Sequence, residues 1–397
     1  MPFRNRNHRN FKRTNSLRTT VFSDLIVGEK VDSISSQFHY NIASDEVITE
    51  TTGSGNVVQE NSMAILSTGE QEISKADLRT VDSVRYRPGH EGFAQFTARF
   101  TAEDNKGIEG CDQIIGIFND DNGYFIGFKG ETFIVGRRFD GEDFITEREN
   151  FNIDKLDGGS ESIFNFIPSE LNVFRIRFGW LGASSITFEI LDRGGKWIEY
   201  HRMPIECDVP SIGNPVLPIR VLLDKSEGVK NVKLATASLN GGRVGEVNES
   251  SERFKSFNHI KENLVAGETS AVFSLKNKET YFNRQNLVTT LILFLSANVD
   301  GGGKFINVKI IRNANFIDTP DWQDVELDNS VMEYDTTATN IEGGESLISF
   351  GLSGSGEEII DLSNFEIRAR PDETLSFAIE PFTGADALLS TRWKELF

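Results

Sequence analysis

Residues 93–100 read FAQFTARF, in which Phe96, Ala98 and Phe100 alternate with Gln95, Thr97 and Arg99. An apolar–polar period of two marks a β-strand with one buried face, because successive side chains leave a pleated backbone on opposite sides. Working outward, residues 173–180 (VFRIRFGW) place Phe174, Ile176, Phe178 and Trp180 on one face and Arg175 and Arg177 on the other. After a turn at Gly182, Ile186, Phe188 and Ile190 repeat the pattern. These are half-buried antiparallel strands. The composition agrees: 31 Phe against four Met suits pleated surfaces, and 35 Gly supply the turns that short strands need.

No strand–helix–strand rhythm occurs anywhere, which disfavours a parallel nucleotide-binding sheet. At 397 residues the chain is long for one core, and 38% hydrophobic with 25% charged residues excludes global disorder. The expected fold is all-β: an N-terminal arm over residues 1–20, an antiparallel sandwich over 21–246, a polar linker over 247–264 with room for one short helix, and a second sandwich over 265–397. In the second sandwich LVTTLILFLSA (residues 287–297) reads as a strand buried on both faces, joined through GGG at 301–303 to FINVKII as a hairpin.

The arm carries Arg4, Arg6, Arg9, Lys12, Arg13 and Arg18 and no acidic residue, with Phe11 among its apolar anchors. Set against a net charge of −19, these six cations leave −25 on the rest, a basic arm on an acidic body. So acidic a body does not suit phosphate recognition, and no nucleic-acid partner is expected. The arm has too little apolar surface to order alone and suits docking onto a neighbouring subunit. No run approaches a membrane span and the start lacks a secretory apolar stretch, so synthesis in a cytoplasm is expected.

Chemistry is sparse. There is no GxSxG, HExxH, Walker or strand-linked GxGxxG motif, and the five histidines, His8, His39, His90, His201 and His259, are never paired at ligand spacing. Cys111 and Cys207 form neither a disulfide framework nor a zinc pattern. Asp120, Asp121, Asn122 and Gly123 begin like a calcium loop but run into Tyr124, Phe125 and Ile126, which makes them a hairpin turn. Asp154, Asp157, Asp300 and Asp321 are read as turn residues too. No catalytic residue, cofactor or metal ligand is assigned.

From YRPGHEGFAQFTARF at Tyr86 onward, the chain resembles a family of tailed-phage virion structural proteins of the marine-phage type. Arg87, Pro88 and Gly89 precede the FT strand; GYFIGFKG, the loop of Leu156, Asp157 and Gly158, the turn of Trp180, Leu181 and Gly182, and a strand with Asn214, Pro215, Pro218 and Arg220 then follow in the family's order, and ALLSTRWKELF matches its close. His90 and Glu91 stand where that family has Gln–Gly, and no Trp precedes the Leu-Asp-Gly loop. The resemblance implies a concanavalin-like or jelly-roll-like module and a non-enzymatic virion component (capsid-decorating, fibre, tail or baseplate), with other virion proteins as partners and a homo-oligomer, a trimer, as the assembly. Host-surface glycan binding is the alternative, and a polysaccharide depolymerase a weaker one.

Overall fold

The computed structural model describes residues 30–397 apart from 87, 161, 180–182, 205–209, 246–252, 302–304 and 354–355. The arm (residues 1–20) and the motif residues Arg87, Trp180, Leu181 and Gly182 therefore lie outside the described residues. The chain divides into two units, Met1–Val247 and Asn248–Phe397, and both are antiparallel β-sandwiches. No described helix is long and apolar enough to cross a membrane.

Among the described residues the first unit contains sixteen strands: β1 (Lys30–Gln37), β2 (Val47–Thr52), β3 (Asn56–Glu60), β4 (Met63–Ser67), β5 (Ser74–Thr80), β6 (Glu91–Phe100), β7 (Cys111–Phe118), β8 (Gly123–Lys129), β9 (Thr132–Phe139), β10 (Glu142–Glu147), β11 (Asn172–Gly179), β12 (Ile186–Leu191), β13 (Trp197–Met203), β14 (Ile219–Lys225), β15 (Lys233–Thr236) and β16 (Ser238–Val244). One sheet runs β13-β12-β11-β6-β15-β4-β3, with β16 joining β1 to β6; the facing sheet runs β10-β9-β8-β7-β14-β5-β2.

The alternation read from sequence sets which face is buried. Phe96 on β6, Phe174, Ile176 and Phe178 on β11, and Ile186, Phe188 and Ile190 on β12 point inward against Ile115, Ile117, Tyr124, Ile126 and Phe128 of the facing sheet. Phenylalanine rings interlock across this core: Phe100 meets Phe128 at 5.4 Å and Phe133 at 6.2 Å edge-on, and Phe133 meets Phe166 at 4.6 Å with tilted rings. The outer face of β11 is not solvated as its arginines suggest. Arg175 and Arg177 both reach Glu189, at 2.5 and 3.1 Å, and Arg177 also pairs with Glu91 at 3.2 Å.

In the second unit one sheet holds Arg253–Leu264, Ala385–Leu396, Thr289–Gly301 and Glu357–Asp361 in that order, and the facing sheet centres on Ser270–Asn277, Thr374–Pro381 and Phe305–Arg312. Trp393 is fully buried between them, and Phe273 stacks on Phe377 at 4.7 Å.

Three sequence expectations are corrected here. The supposed linker is a strand from Arg253 to Leu264, paired with Ala385–Leu396. It looked like a linker because it is an edge strand, where Lys, Asn and Glu are tolerated and shield the open edge; Phe257, on Phe273 at 5.1 Å and Tyr334 at 4.4 Å, and the buried Leu264 anchor it to the core. Residues 287–297 are not buried on both faces: Ile292, Leu295 and Ala297 are buried, while Leu291, Leu293 and Phe294 are half-exposed. Nor does the GGG segment make a hairpin, because Thr289–Gly301 and Phe305–Arg312 belong to opposite sheets. An apolar run reports burial but not which sheet a strand joins.

Candidate functional site

The outer face of the seven-stranded sheet is the chemically distinctive surface of the first unit. Antiparallel register places Arg220, Gly116, Phe125, Gly136 and Ile145 in one row across five strands, on the same side. Glycine is required in this row: a Cβ on Gly136 would sit 2.3 Å from the Phe125 ring. On the next row a Cβ on Gly127 would lie 1.9 Å from the Gln113 carbonyl, at a φ of 144° that side-chain-bearing residues avoid. Phe125 thus lies against the sheet, buried with Phe118, Ile114, Ile134 and Leu222.

Charged groups cover this patch. Arg138 lies 5.5 Å from the centre of the Phe118 ring and 5.6 Å from that of Phe125, and Arg220 lies 5.5 Å from that of Phe118. Arg138 holds Asp143 at 2.7 Å and Lys129 reaches it at 3.1 Å. Burial pushes the Asp143 carboxyl up, but the hydrogen bond and charge of Arg138, with those of Lys129, outweigh it and leave it below the usual carboxylate range. Asp120 is also held low, chiefly by its hydrogen bond from Arg220.

Towards the other end of this face a groove opens around Thr132 and Glu147. Two cavities, of about 590 and about 460 Å³, share these two residues. The first is walled by Lys129, Ile134 and Ile145, the second by Asn105, Lys106, Glu131, Arg148, Lys155 and Asp157. Both are open to solvent, as a shallow surface groove is.

The second cavity rests on a clamped loop. Asp154, 3% exposed, accepts hydrogen bonds from Leu156 N at 2.7 Å, Ser162 Oγ at 2.5 Å and Ile163 N at 2.7 Å. Arg148 donates from Nε to the Lys155 carbonyl at 2.7 Å and from Nη2 to that of Leu156. Burial lowers the Arg148 pKa, while Asp157 and Asp154 pull against that. Between these clamps Leu156 is fully buried at φ 57°, a left-handed conformation that costs about 1–3 kcal/mol for such a residue and persists only where its surroundings impose it. The outcome is an exposed Asp157 at the groove's wall, its Oδ1 accepting the Gly159 N–H at 2.8 Å.

His201 supports the same loop from below. Its Nδ1 accepts the Asn152 N–H at 3.3 Å, which requires an unprotonated nitrogen, and burial lowers its pKa to about 4. An unfolded histidine binds its proton near pH 6.5, so between there and pH 4 the unfolded chain binds more protons and the fold loses stability as pH falls. His201→Gln keeps an acceptor without a titration. It is expected to remove a loss on the order of 2–3 kcal/mol between pH 7 and 4, read as the difference between the two proteins' urea midpoints across that range.

Of the described motif residues, Asp157, with Gly158 next to it in the chain, lines the groove. Arg220 is remote from it on the same face, in the Asp77 and Asp120 pairs, and Asn214 accepts the Val216 N–H at 3.0 Å in the turn before Pro218 and β14. Pro88 and Gly89 form an exposed turn. Asp120, Asp121 and Asn122 form the β7–β8 hairpin turn. Thr132, Glu147, Arg148 and Lys106 were not legible as site residues, since nothing in their local pattern separates them from other polar strand ends. Among the described residues no group of three or more His, Cys, Asp and Glu is placed to hold a metal ion.

No family model and no curated protein matches this sequence. Solved structures similar to part of it include peanut lectin with a nonapeptide (10% identity, 54% of this chain and 99% of that one, TM-score 0.32). A legume lectin-like domain from Entamoeba histolytica has 13% identity over 55% of this chain and 100% of its own, with a TM-score of 0.34. An endo-1,3-beta-glucanase from Streptomyces sioyaensis has 8% identity over 55% and 97%, with a TM-score of 0.39. Likenesses of this size do not bear on function.

Proposed function

We propose that this chain is a non-enzymatic structural component of a bacteriophage particle, and that its first sandwich binds a hydroxyl-rich ligand, a host-surface glycan, in the groove around Thr132 and Glu147. The virion half is supported by the ordered motif series from Arg87 to Arg220 and by the basic arm on an acidic body. The glycan half is carried by one observation: the clamped loop holds Asp157 beside Glu147, Glu131, Lys106 and Asn105 in one cavity. Sugar hydroxyls both donate and accept, and this wall offers carboxylate acceptors next to amide and ammonium donors. Ile134 and Ile145 in the adjoining cavity give a sugar's C–H face an apolar surface.

Asp157 and Glu147 are both exposed, so Asp157→Ala and Glu147→Ala are expected to leave the melting temperature unchanged. Each is expected to weaken binding on a host-polysaccharide array about tenfold or more, the worth of one hydrogen bond to a charged group. Flat binding by the unaltered protein, or new reducing ends on incubation with polysaccharide, would remove the glycan reading. Incorporation of a protein lacking residues 1–20 into particles at the normal level would remove the anchoring reading.

A further inference from the structure

We propose that residues 9–13 of the arm add as an antiparallel strand to the edge strand Glu357–Asp361 in the second unit of a neighbouring copy. This rests on the reading of residues 1–20 as a docking arm and specifies where it docks. Glu357–Asp361 pairs on one side with Thr289–Gly301, through Phe294↔Asp361 to Asn298↔Glu357, and has no strand on its other side among the described residues. An open edge with unpaired N–H and C=O groups is a template for another strand. Unlike Arg253–Leu264 at the opposite edge, which is studded with Lys and His, this edge is acidic and carries an isoleucine, Ile359, at 65% exposure.

Its side chains alternate as a strand requires. Glu357, Ile359 and Asp361 face one way, Glu358 and Ile360 the other, and Glu357, Glu358 and Asp361 are all exposed. Among the described residues Glu357 and Glu358 form no ion pair, while Asp361 accepts hydrogen bonds from the N–H and hydroxyl of Ser363 at 2.9 and 2.6 Å. The arm's sequence offers the complement at the same period of two: Arg9, Phe11 and Arg13 occupy alternate positions, with Asn10 and Lys12 between them.

Laid antiparallel with Phe11 opposite Ile359, the register sets Arg9 against Asp361, Lys12 against Glu358 and Arg13 against Glu357, so that each cation meets a carboxylate and the two apolar residues meet each other. In the parallel direction Lys12 would face Ile360 and leave Glu358 facing Asn10, which fixes the antiparallel choice. A second copy is the source we commit to, because bodies this acidic repel one another and exchange of basic arms is what offsets that repulsion.

The test uses the full chain. By sedimentation at low salt the unaltered protein is expected to self-associate, the triple variant R9E/K12E/R13E to be monomeric, and association to return when that variant is mixed with a chain carrying E357R/E358K/D361R. In a Cys207→Ser background, Phe11→Cys with Ile359→Cys is expected to give an interchain disulfide on a non-reducing gel, whereas Phe11→Cys with Ile360→Cys, which points to the opposite face, is not. An unaltered chain that stays monomeric, a crosslink confined within one chain, or equal crosslinking at 359 and 360 overturns the proposal. Loss of particle incorporation on deleting residues 1–20, together with no crosslink at 359, would overturn this docking place while leaving the anchoring reading standing.

Discussion

Replacing Arg220 by methionine is expected to destabilise the first unit by about 3–5 kcal/mol, the cost of stranding a buried charge without its partner. Its side chain and that of Asp77 are 3% and 1% exposed. Nε of Arg220 donates to both Asp77 oxygens, at 2.9 and 3.1 Å, and Nη2 to Oδ2 at 2.5 Å, while Nη1 reaches out to Asp120 at 2.6 Å. Burial alone would lower the Arg220 pKa, but the hydrogen bonds and charges of Asp77 and Asp120 outweigh it and raise the pKa above the usual arginine range. Methionine fills the stem's volume, so the loss reports the charge rather than a cavity. The paired replacement Asp77→Leu with Arg220→Met is expected to recover most of it, since exchanging both members of a buried pair for apolar residues is often close to neutral. Hydrogen exchange of the β5 and β14 amides under increasing urea measures all three proteins within this unit. A single substitution costing less than about 1 kcal/mol would mean that Asp77 finds water or another partner.

Asp154→Ala should have the second large effect, and it joins stability to function. Three donors, Leu156 N, Ser162 Oγ and Ile163 N, lose their acceptor. A buried donor left unsatisfied costs about 1–3 kcal/mol; Ser162 also donates to the Phe164 carbonyl at 2.7 Å and can keep that bond, so a total near 3 kcal/mol is expected. With one clamp gone Leu156 is expected to leave its left-handed conformation, and Asp157, one residue on, to lose its place on the groove wall. Glycan binding should then fall at least as far as in Asp157→Ala, with faster exchange at residues 155–166. Asp154→Asn, which keeps one carbonyl acceptor, is expected to fall between the two. Unaltered binding in Asp154→Ala would separate the loop from the site.

How much was legible can be traced residue by residue. The strands around Phe96, Phe174 and Phe188 were readable because a half-buried antiparallel strand writes its two environments directly into alternating residues, and the structure has those inward faces. The all-β class and its antiparallel sandwiches followed from the same signal. The arginines of β11 were misleading for a related reason: Arg175 and Arg177 read as solvent-facing, yet Glu189 and Glu91, brought alongside by β12 and β6, tie them into a buried network.

The edge strand Arg253–Leu264 was hidden by the charges that protect it. The partners of Thr289–Gly301 and Phe305–Arg312 were hidden because sheet assignment depends on closures far along the chain, as with Ala385–Leu396. The groove was the least legible of all. Thr132 opens β9, Glu147 closes β10 and Asp157 lies in the loop before β11, and only pairing of β9 with β10, together with the bonds that hold Leu156, Ser162 and Ile163 on Asp154, brings them together. Local pattern, a property of neighbours in sequence, determined strands, faces and class. Sheet partners, the buried pair of Arg220 with Asp77 and the groove were decided by contacts between residues tens to hundreds of positions apart, whose energies no short window of sequence contains.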